Sequence, residues 1–306
     1  MYKNKQSTRT LTLLLAGIVL VSVIMMVLSH QSDRSYKRHV IKTNAEKISR
    51  FSITPSNGDS TFQVIKTKSG WVVPMPWGNV DASAFNVEKL LRYLGGGIAS
   101  DRLVAKHPMQ WADFGVSDSL ATHVIAYRNN KEVANFYCGG FEFEPQTRRT
   151  WCYIRLADNG EVYSVDGILS MSLNRTQADF RNNDLLSVSP KSISKIEVEQ
   201  ADSSYTIEKI GNSLLMNGIA CDSVKASKFI HQVSKLTTHL FADSARNQLK
   251  QPIAKASITA NNNVVTITAY KVNNEIVLES SANNGNLFSD ERLNQILFTK
   301  KQNLLP

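Results

Sequence analysis

Apolar residues return at helical spacing in two distant parts of the chain. Val87, Leu90, Leu91, Leu94 and Ile98 fall at i, i+3, i+4, i+7 and i+11, one stripe of an amphipathic helix. Ala226, Phe229, Ile230, Val233 and Leu240 make a second stripe. The same grammar leads into each. A short apolar strand (Trp71-Val72-Val73, Leu214-Leu215-Met216) meets a Gly-Asn or Asn-Gly turn, and a capping residue then opens the helix, Asp81 or Ser83 in the first case and Asp222 in the second. Period-two alternation predicts strands at residues 47–53, 61–66, 71–73, 122–127, 133–138, 151–156 and 162–165, with turns at Ser69-Gly70, Asn129-Asn130 and Asn159-Gly160. Residues 109–116 read as a helical turn closed by Gly115, and residues 168–186 read as a helix.

The pattern restarts near residue 192. Lys47-Ile48-Ser49-Arg50-Phe51 is echoed by Ser192-Ile193-Ser194-Lys195-Ile196, and the strand at 61–66 by residues 205–210. The hairpin HVIAYRNNKEVANFY is echoed by TITAYKVNNEIVLES, and NGEVYSVDG by NGNLFSDER. Two copies fall short of the three or more that a solenoid needs. The expected architecture is α+β: two tandem related units, residues 46–190 and a shorter 191–306, each an antiparallel or mixed sheet with helices on one face. The second unit is expected to lack the counterpart of the Trp151 strand.

Residues 11–28 form an uncharged apolar run, long enough to cross a bilayer as a helix. The competing reading is a cleaved signal peptide, whose apolar core is usually about 7–15 residues and ends at a small-residue site; Val27 and Ser29 could serve a peptidase, yet no A-x-A pattern stands there. The expected order is a cytoplasmic tail (1–10), a single transmembrane anchor (11–29) and a basic stalk (30–45) before the two units. Basic residues flank the run on both sides, so their balance does not fix orientation; the short basic tail resembles a signal anchor that exports the rest.

Charge then changes one inference. Seven Lys and Arg against Asp33 alone give the first 42 residues a net charge of +6, out of +9 for the chain. The basic pI belongs mostly to the flanks of the apolar run and does not argue for nucleic-acid binding. Three cysteines, Cys138, Cys152 and Cys221, are too few for a zinc cage or a disulfide scaffold. Cys138 and Cys152 end and begin neighbouring predicted strands and form a candidate disulfide, subject to register.

The remaining candidates are surface features. Glu142 and Glu144 stand two apart in FEFEP, a spacing that can hold a cation but that any half-exposed strand also gives. Arg148 and Arg149 share a loop and suit an acidic partner. Trp77 occupies a Pro-Gly turn, whereas Trp71 and Trp151 read as core. His231 and His239 are eight apart, too far for one metal ion. Gly95-Gly96-Gly97 ends a helix and does not present amides to a phosphate. No motif places a nucleophile, base and oxyanion site together. The expectation is no catalytic, cofactor or metal site, and an interaction surface drawn from Trp77, Arg148, Arg149, Glu142 and Glu144.

Several motifs are family-like: Trp71 with Pro74 or Pro76, Asp81, Phe114-Gly115-Val116, Tyr163 with Val165, and Phe180-Arg181 with Leu185-Leu186. In these and their order the chain resembles the bacterial proteins grouped as domain of unknown function 4340, over most of residues 48–305. It departs at Ser117-Asp118-Ser119, where the family usually carries a proline. The resemblance implies a membrane-anchored extracytoplasmic (periplasmic) protein, single-pass in the bacterial inner membrane. It also implies genes often placed beside ABC-type exporter components of the gliding-motility kind, and no established activity. The resulting expectation is an interaction or accessory protein, with the membrane as one partner through residues 11–29 and a membrane or envelope protein as another. The alternative is an envelope ligand-binding module or enzyme acting on cell-wall sugar or peptide in a cleft between the units.

Overall fold

The computed structural model describes residues 15, 17–25, 39–56, 58–201, 203–211 and 213–305. The expected tail and most of the expected anchor and stalk lie outside these residues. The described part of the apolar run is helical and exposed, and no helix among the described residues is long and apolar enough to cross a membrane. The fold begins earlier than the stalk reading allows. His39–Ile41 already forms a strand (β1), because Ile41 is buried in the first core.

The described chain is α+β, with few helices and antiparallel pairing in every strand pair given below. The first sheet collects β1 with β2 (Arg50–Thr54), β3 (Phe62–Lys66), β4 (Trp71–Met75), β5 (Gly78–Asp81), β6 (Ile98–Ala105), β7 (Thr122–Arg128), β8 (Lys131–Cys138), β9 (Glu142–Glu144), β10 (Arg149–Leu156) and β11 (Val162–Asp166). Their order is β1-β6-β11-β10-β8-β7-β2-β3-β4-β5, with β9 attached to β10 alone. Alternate residues point inward, as the pleat requires: Phe51 and Ile53 from β2, Val124 and Ala126 from β7, and Phe136 from β8 are each fully buried. Helix α1 (Ala84–Gly96) adds Val87, Leu90 and Leu94. It ends before Ile98 because Gly97 takes φ +90° at its C-cap, which leaves Ile98 to start β6.

The second half repeats this plan. The strands are β12 (Asp184–Ser187), β13 (Ile193–Gln200), β14 (Tyr205–Ile210), β15 (Ser213–Met216), β16 (Ile219–Ala220), β17 (Lys235–Thr237), β18 (Pro252–Ala260), β19 (Asn263–Val272), β20 (Glu275–Ser280) and β21 (Asn283–Phe288). An eight-stranded sheet runs β16-β15-β14-β13-β18-β19-β20-β21, matching β5-β4-β3-β2-β7-β8-β10-β11 strand for strand. The β12–β17 pair stands where β1–β6 stands in the first half. The strand equivalent to the Trp151 strand is therefore present, as β20. The hairpin echo read in the sequence is offset by one strand: by topology the counterpart of β7–β8 is β18–β19, not β19–β20.

Two further readings are corrected. Residues 168–186 are not one helix. A short helix, α2 (Ile168–Leu173), gives way to a 3-10 turn (Ala178–Phe180) and then to β12. The break is local chemistry: Asp179 accepts hydrogen bonds from the Thr176 amide and hydroxyl, and Arg181 is extended at φ −79°, ψ 149°. The second long helix, α3 (Ser223–Ser234), stops short of Leu240, which is 58% exposed. A last helix, α4 (Glu291–Leu297), closes the second core. One apolar core spans Ile41 to Phe180 and another spans Leu185 to Leu304.

Candidate interaction surface

Four of the five sequence candidates come together. Strand β9 pairs with β10 so that Glu144 faces Arg149 and Glu142 faces Trp151. Arg148 closes this hairpin at φ +53°, a conformation few non-glycine residues adopt outside turns. The hairpin is stiffened by Thr147 donating to Glu144 and by an Arg149 Nη2–Asp101 Oδ2 ion pair at 3.3 Å. Both partners of that pair are more than half exposed, so it orients more than it stabilises. Glu142 and Glu144 hold no cation cage: among the described residues no group of three or more His, Cys, Asp or Glu is arranged to hold a metal. Phe141 and Phe143 do not fill the core; they stand 43% and 53% exposed, next in the chain to those charges. Beneath the hairpin is a cavity of about 380 Å³ lined by Asp101, Arg102, Glu144, Arg149, Trp151 and Ser164.

Trp77, the fifth candidate, is elsewhere. It sits in the turn from β4 to β5, with the Arg246 guanidinium 5.2 Å from its ring centroid. It thus belongs to the contact between the two halves, which no sequence pattern announces. At the centre of that contact is Arg181, only 4% exposed. Its Nη1 and Nη2 donate to Asp243 at 2.6 and 2.8 Å, its Nε donates to Asn286 Oδ1 at 2.8 Å, and its face covers the Phe241 ring at 3.7 Å. A forked pair of this kind is the strong form of the interaction. Asn286 donates in turn to Asn283 Oδ1 and to the Asp81 carbonyl, and the Asp81 carboxylate accepts from the Asn284 amide at 2.7 Å. Asn283 donates to the carbonyls of Asn182 and Asp184. Asn283 and Asn286 are fully buried, and these bonds are what makes their burial tolerable. Gly285 lies so close that a Cβ there would sit 2.8 Å from the Asn79 carbonyl oxygen. This contact is filled by side chains, and five of the best-formed cavities among the described residues each lie within one half.

The cysteine pair is adjacent and unbonded. Cys138 stands opposite Ile154, so Cys152 lies two residues along β10, on the same face and diagonal to Cys138. The sulfurs are 4.0 Å apart and both side chains are buried. The hydrogen bond with Cys152 and burial push the Cys138 thiol well above the ordinary range, so it stays protonated. Cys221 is part-exposed, in the second half.

The other aromatic candidates are structural. Trp71 stacks on Phe51 at 5.4 Å, Trp151 Nε1 donates to the Tyr153 hydroxyl, and Trp111 Nε1 donates to the Gly160 carbonyl. His231 lies on α3, and His239, beyond its end, meets Asn183 at 3.1 Å.

The chain belongs to the family described as domain of unknown function DUF4340, whose model matches residues 71–252. That match takes in the strand–turn–helix opening, the hairpin surface, Arg181 and Asp243. No curated protein and no solved structure matches the chain.

Proposed function

We propose that this DUF4340 protein is an interaction or accessory subunit of the bacterial cell envelope, tethered to the inner membrane by residues 11–29. Its two units stand on the extracytoplasmic side. A protein partner, such as a transporter or another envelope component, docks on the β9–β10 hairpin. The observation that carries this reading is the hairpin itself. Its β9 arm leaves the main path of the sheet and contributes nothing to either core, and with its flanking residues it presents Phe141 and Phe143 among Glu142, Glu144, Arg148 and Arg149. Exposed aromatics set in a charged rim are the usual make-up of a protein contact. The filled contact around Arg181 argues against the rival reading, which needs an open cleft between the units.

The test is site-specific photocrosslinking in native membranes. A benzoylphenylalanine at Phe143 is expected to give a discrete heavier adduct, while one at Lys255 on the second sheet gives none. Adding Phe141→Ser and Arg149→Glu should abolish the adduct. Equal labelling at both positions, or none at Phe143, would defeat the docking proposal. For the tether, alkaline carbonate should leave the chain in the membrane pellet, and protease added to spheroplasts should digest it; release by carbonate or full protection would overturn that part. Export also predicts that alkylation in denaturant without reductant modifies Cys221 alone, because an oxidising compartment would join Cys138 to Cys152. Three modified cysteines would remove that corollary.

A further inference from the structure

Away from the hairpin, the second half carries a cleft of about 650 Å³ between α3 and the segment that starts with α4 and runs to Leu304. Its lining is one-signed. Lys225, Lys228 and Lys235 project from one side and Arg292 from the other, with His231 beside them, and no carboxylate is among the lining residues. The three lysines follow helical spacing at i, i+3 and i+10, so the stripe is a property of the helix and its immediate end. Gln232, Gln295 and Asn303 add amides, and Phe229, Ile296 and Leu304 make an apolar floor.

The neighbouring acids lie outside the lining; two of them cap helices, and Asp290 and Asp184 offset part of the charge of Arg292 and Lys235. Asp222 caps α3, accepting from the Val224 and Lys225 amides. Asp290 caps α4, accepting from the Arg292 and Leu293 amides, and meets Arg292 Nη2 at 3.4 Å. Glu291 is held by Gln295 at 3.1 Å, and Asp184 lies near enough to Lys235 to feel its charge. Two cations are also fixed in place: Lys225 Nζ donates to the Leu305 carbonyl at 2.9 Å, and Arg292 Nη2 to the Thr237 carbonyl at 3.1 Å. Fixed cations over an apolar floor form a prepared site, because little side-chain ordering remains to oppose binding.

We propose that this cleft binds an organic phosphate: a doubly charged phosphoryl head among Lys225, Lys228, Lys235 and Arg292, with its apolar substituent on Phe229, Ile296 and Leu304. A single carboxylate would leave most of the positive charge unanswered, and inorganic phosphate would leave the floor bare. The volume lies within the range of small-molecule sites. A soluble phosphate monoester and the phosphomonoester headgroup of phosphatidic acid share this chemistry. The inference is independent of the docking role given to the hairpin.

The test uses the full chain in phosphatidylcholine nanodiscs. Calorimetric titration with phenyl phosphate should show binding tighter than with inorganic phosphate and weakening with added salt. Lys228→Gln with Lys235→Gln, both exposed, should weaken it about tenfold, several-fold for each lost charge. The control Lys255→Gln, on the second sheet, should leave it unchanged. A second arm replaces part of the phosphatidylcholine with phosphatidic acid and reads hydrogen exchange over residues 223–234 and 291–297. Slower exchange there, lost in the double variant, assigns the site to a lipid headgroup; binding of phenyl phosphate without that change assigns it to a soluble ester. No response in either arm, or a response that the double variant leaves intact, overturns the proposal.

Discussion

Each half of the molecule buries one arginine among aromatic rings, but from different sources. In the first half it is Arg155, from β10 itself. It lies 3.9 Å from the Trp111 ring centroid and 3.6 Å from that of Tyr137, donates through Nε to the Val116 carbonyl at 2.8 Å, and pairs with Asp118. In the equivalent strand pairs Arg155 stands opposite Val162 and Glu279 opposite Leu287, so the counterpart of Arg155 is Glu279, which accepts from the Tyr270 hydroxyl at 3.1 Å. The second half takes its arginine from the segment before it: Arg181, over Phe241 and forked onto Asp243. The turn glycines behave in parallel. The Gly160 carbonyl accepts from Trp111 and the Gly285 carbonyl from Arg246, each donor coming from the loop that precedes the sheet's central hairpin. An arrangement that closes one unit on itself has thus become, in the other, the link between units. A cation borrowed across a boundary turns a local packing motif into an interface.

The largest expected effect tests this difference directly. Arg181→Met should destabilise the protein by about 3–5 kcal/mol, because Asp243, Asn286 and the Asp81 cluster lose a buried charged partner. The loss should also uncouple the halves, so that urea unfolding monitored by tryptophan and by far-ultraviolet dichroism no longer coincides. Arg155→Met should cost less, about 2 kcal/mol. It orphans the Val116 carbonyl, but Asp118 is 74% exposed and returns to water. The two probes should still coincide. If the first variant kept coincident transitions, or the second lost them, the assignment of link and local brace would be wrong.

The glycines give a smaller effect. Gly285 has φ +77°, and its Cβ would meet a backbone oxygen, which cannot step aside. Gly285→Ala should cost about 2 kcal/mol from left-handed strain and overpacking, and should loosen the contact between halves as Arg181→Met does. Gly160→Ala meets the Trp111 ring at the same 2.8 Å and should instead disturb the Arg155 cage, read as a change in Trp111 fluorescence with the halves still coupled.

What the sequence disclosed follows from the range of the interactions involved. Val87, Leu90 and Leu94 announce their helix because burial selects every third or fourth residue locally, and the β7–β8 hairpin is legible from alternation around Asn129. The displaced echo has an equally local cause. Asn129 at φ +55°, Asn261 and Asn262 at φ +49° and +63°, and Asn273 at φ +56° all turn hairpins, so turn chemistry could not distinguish the β18–β19 turn from the β19–β20 turn. Pro252 and the Asn run hid β18 between them. The hairpin charges were found because they are near neighbours in the chain. Arg181 and Asp81 were not, since their partners lie 62 to 205 residues away and Phe180-Arg181 reads as an ordinary helix end. The phosphate cleft needed the C-terminal segment beside α3, a juxtaposition no periodicity encodes.

The equivalent helices differ in one further respect, with the smallest expected effect. Helix α1 is capped by Ser83, whose hydroxyl accepts from the Asn86 amide; α3 is capped by Asp222, whose carboxylate accepts from two amides. Only the second cap titrates. The hydrogen bond from the Lys225 amide, joined by that from Val224 and by the Lys225 charge, holds Asp222 below the ordinary carboxylate range. A folded-state pKa below the unfolded one contributes stability that is fully present above the unfolded value of about 3.9 and is lost as pH falls through the folded value. Acid should therefore weaken the second half at this cap and leave the first half's cap untouched. Ser83→Ala is expected to cost about 0.5–2 kcal/mol equally at pH 7 and pH 3. Asp222→Ser should lower the thermal midpoint at pH 7 and lose that deficit progressively as acid protonates the wild-type carboxylate. Thermal midpoints of the two variants against wild type, followed from pH 7 to pH 3, check this. Parallel offsets for both variants would show that the caps do not distinguish the halves.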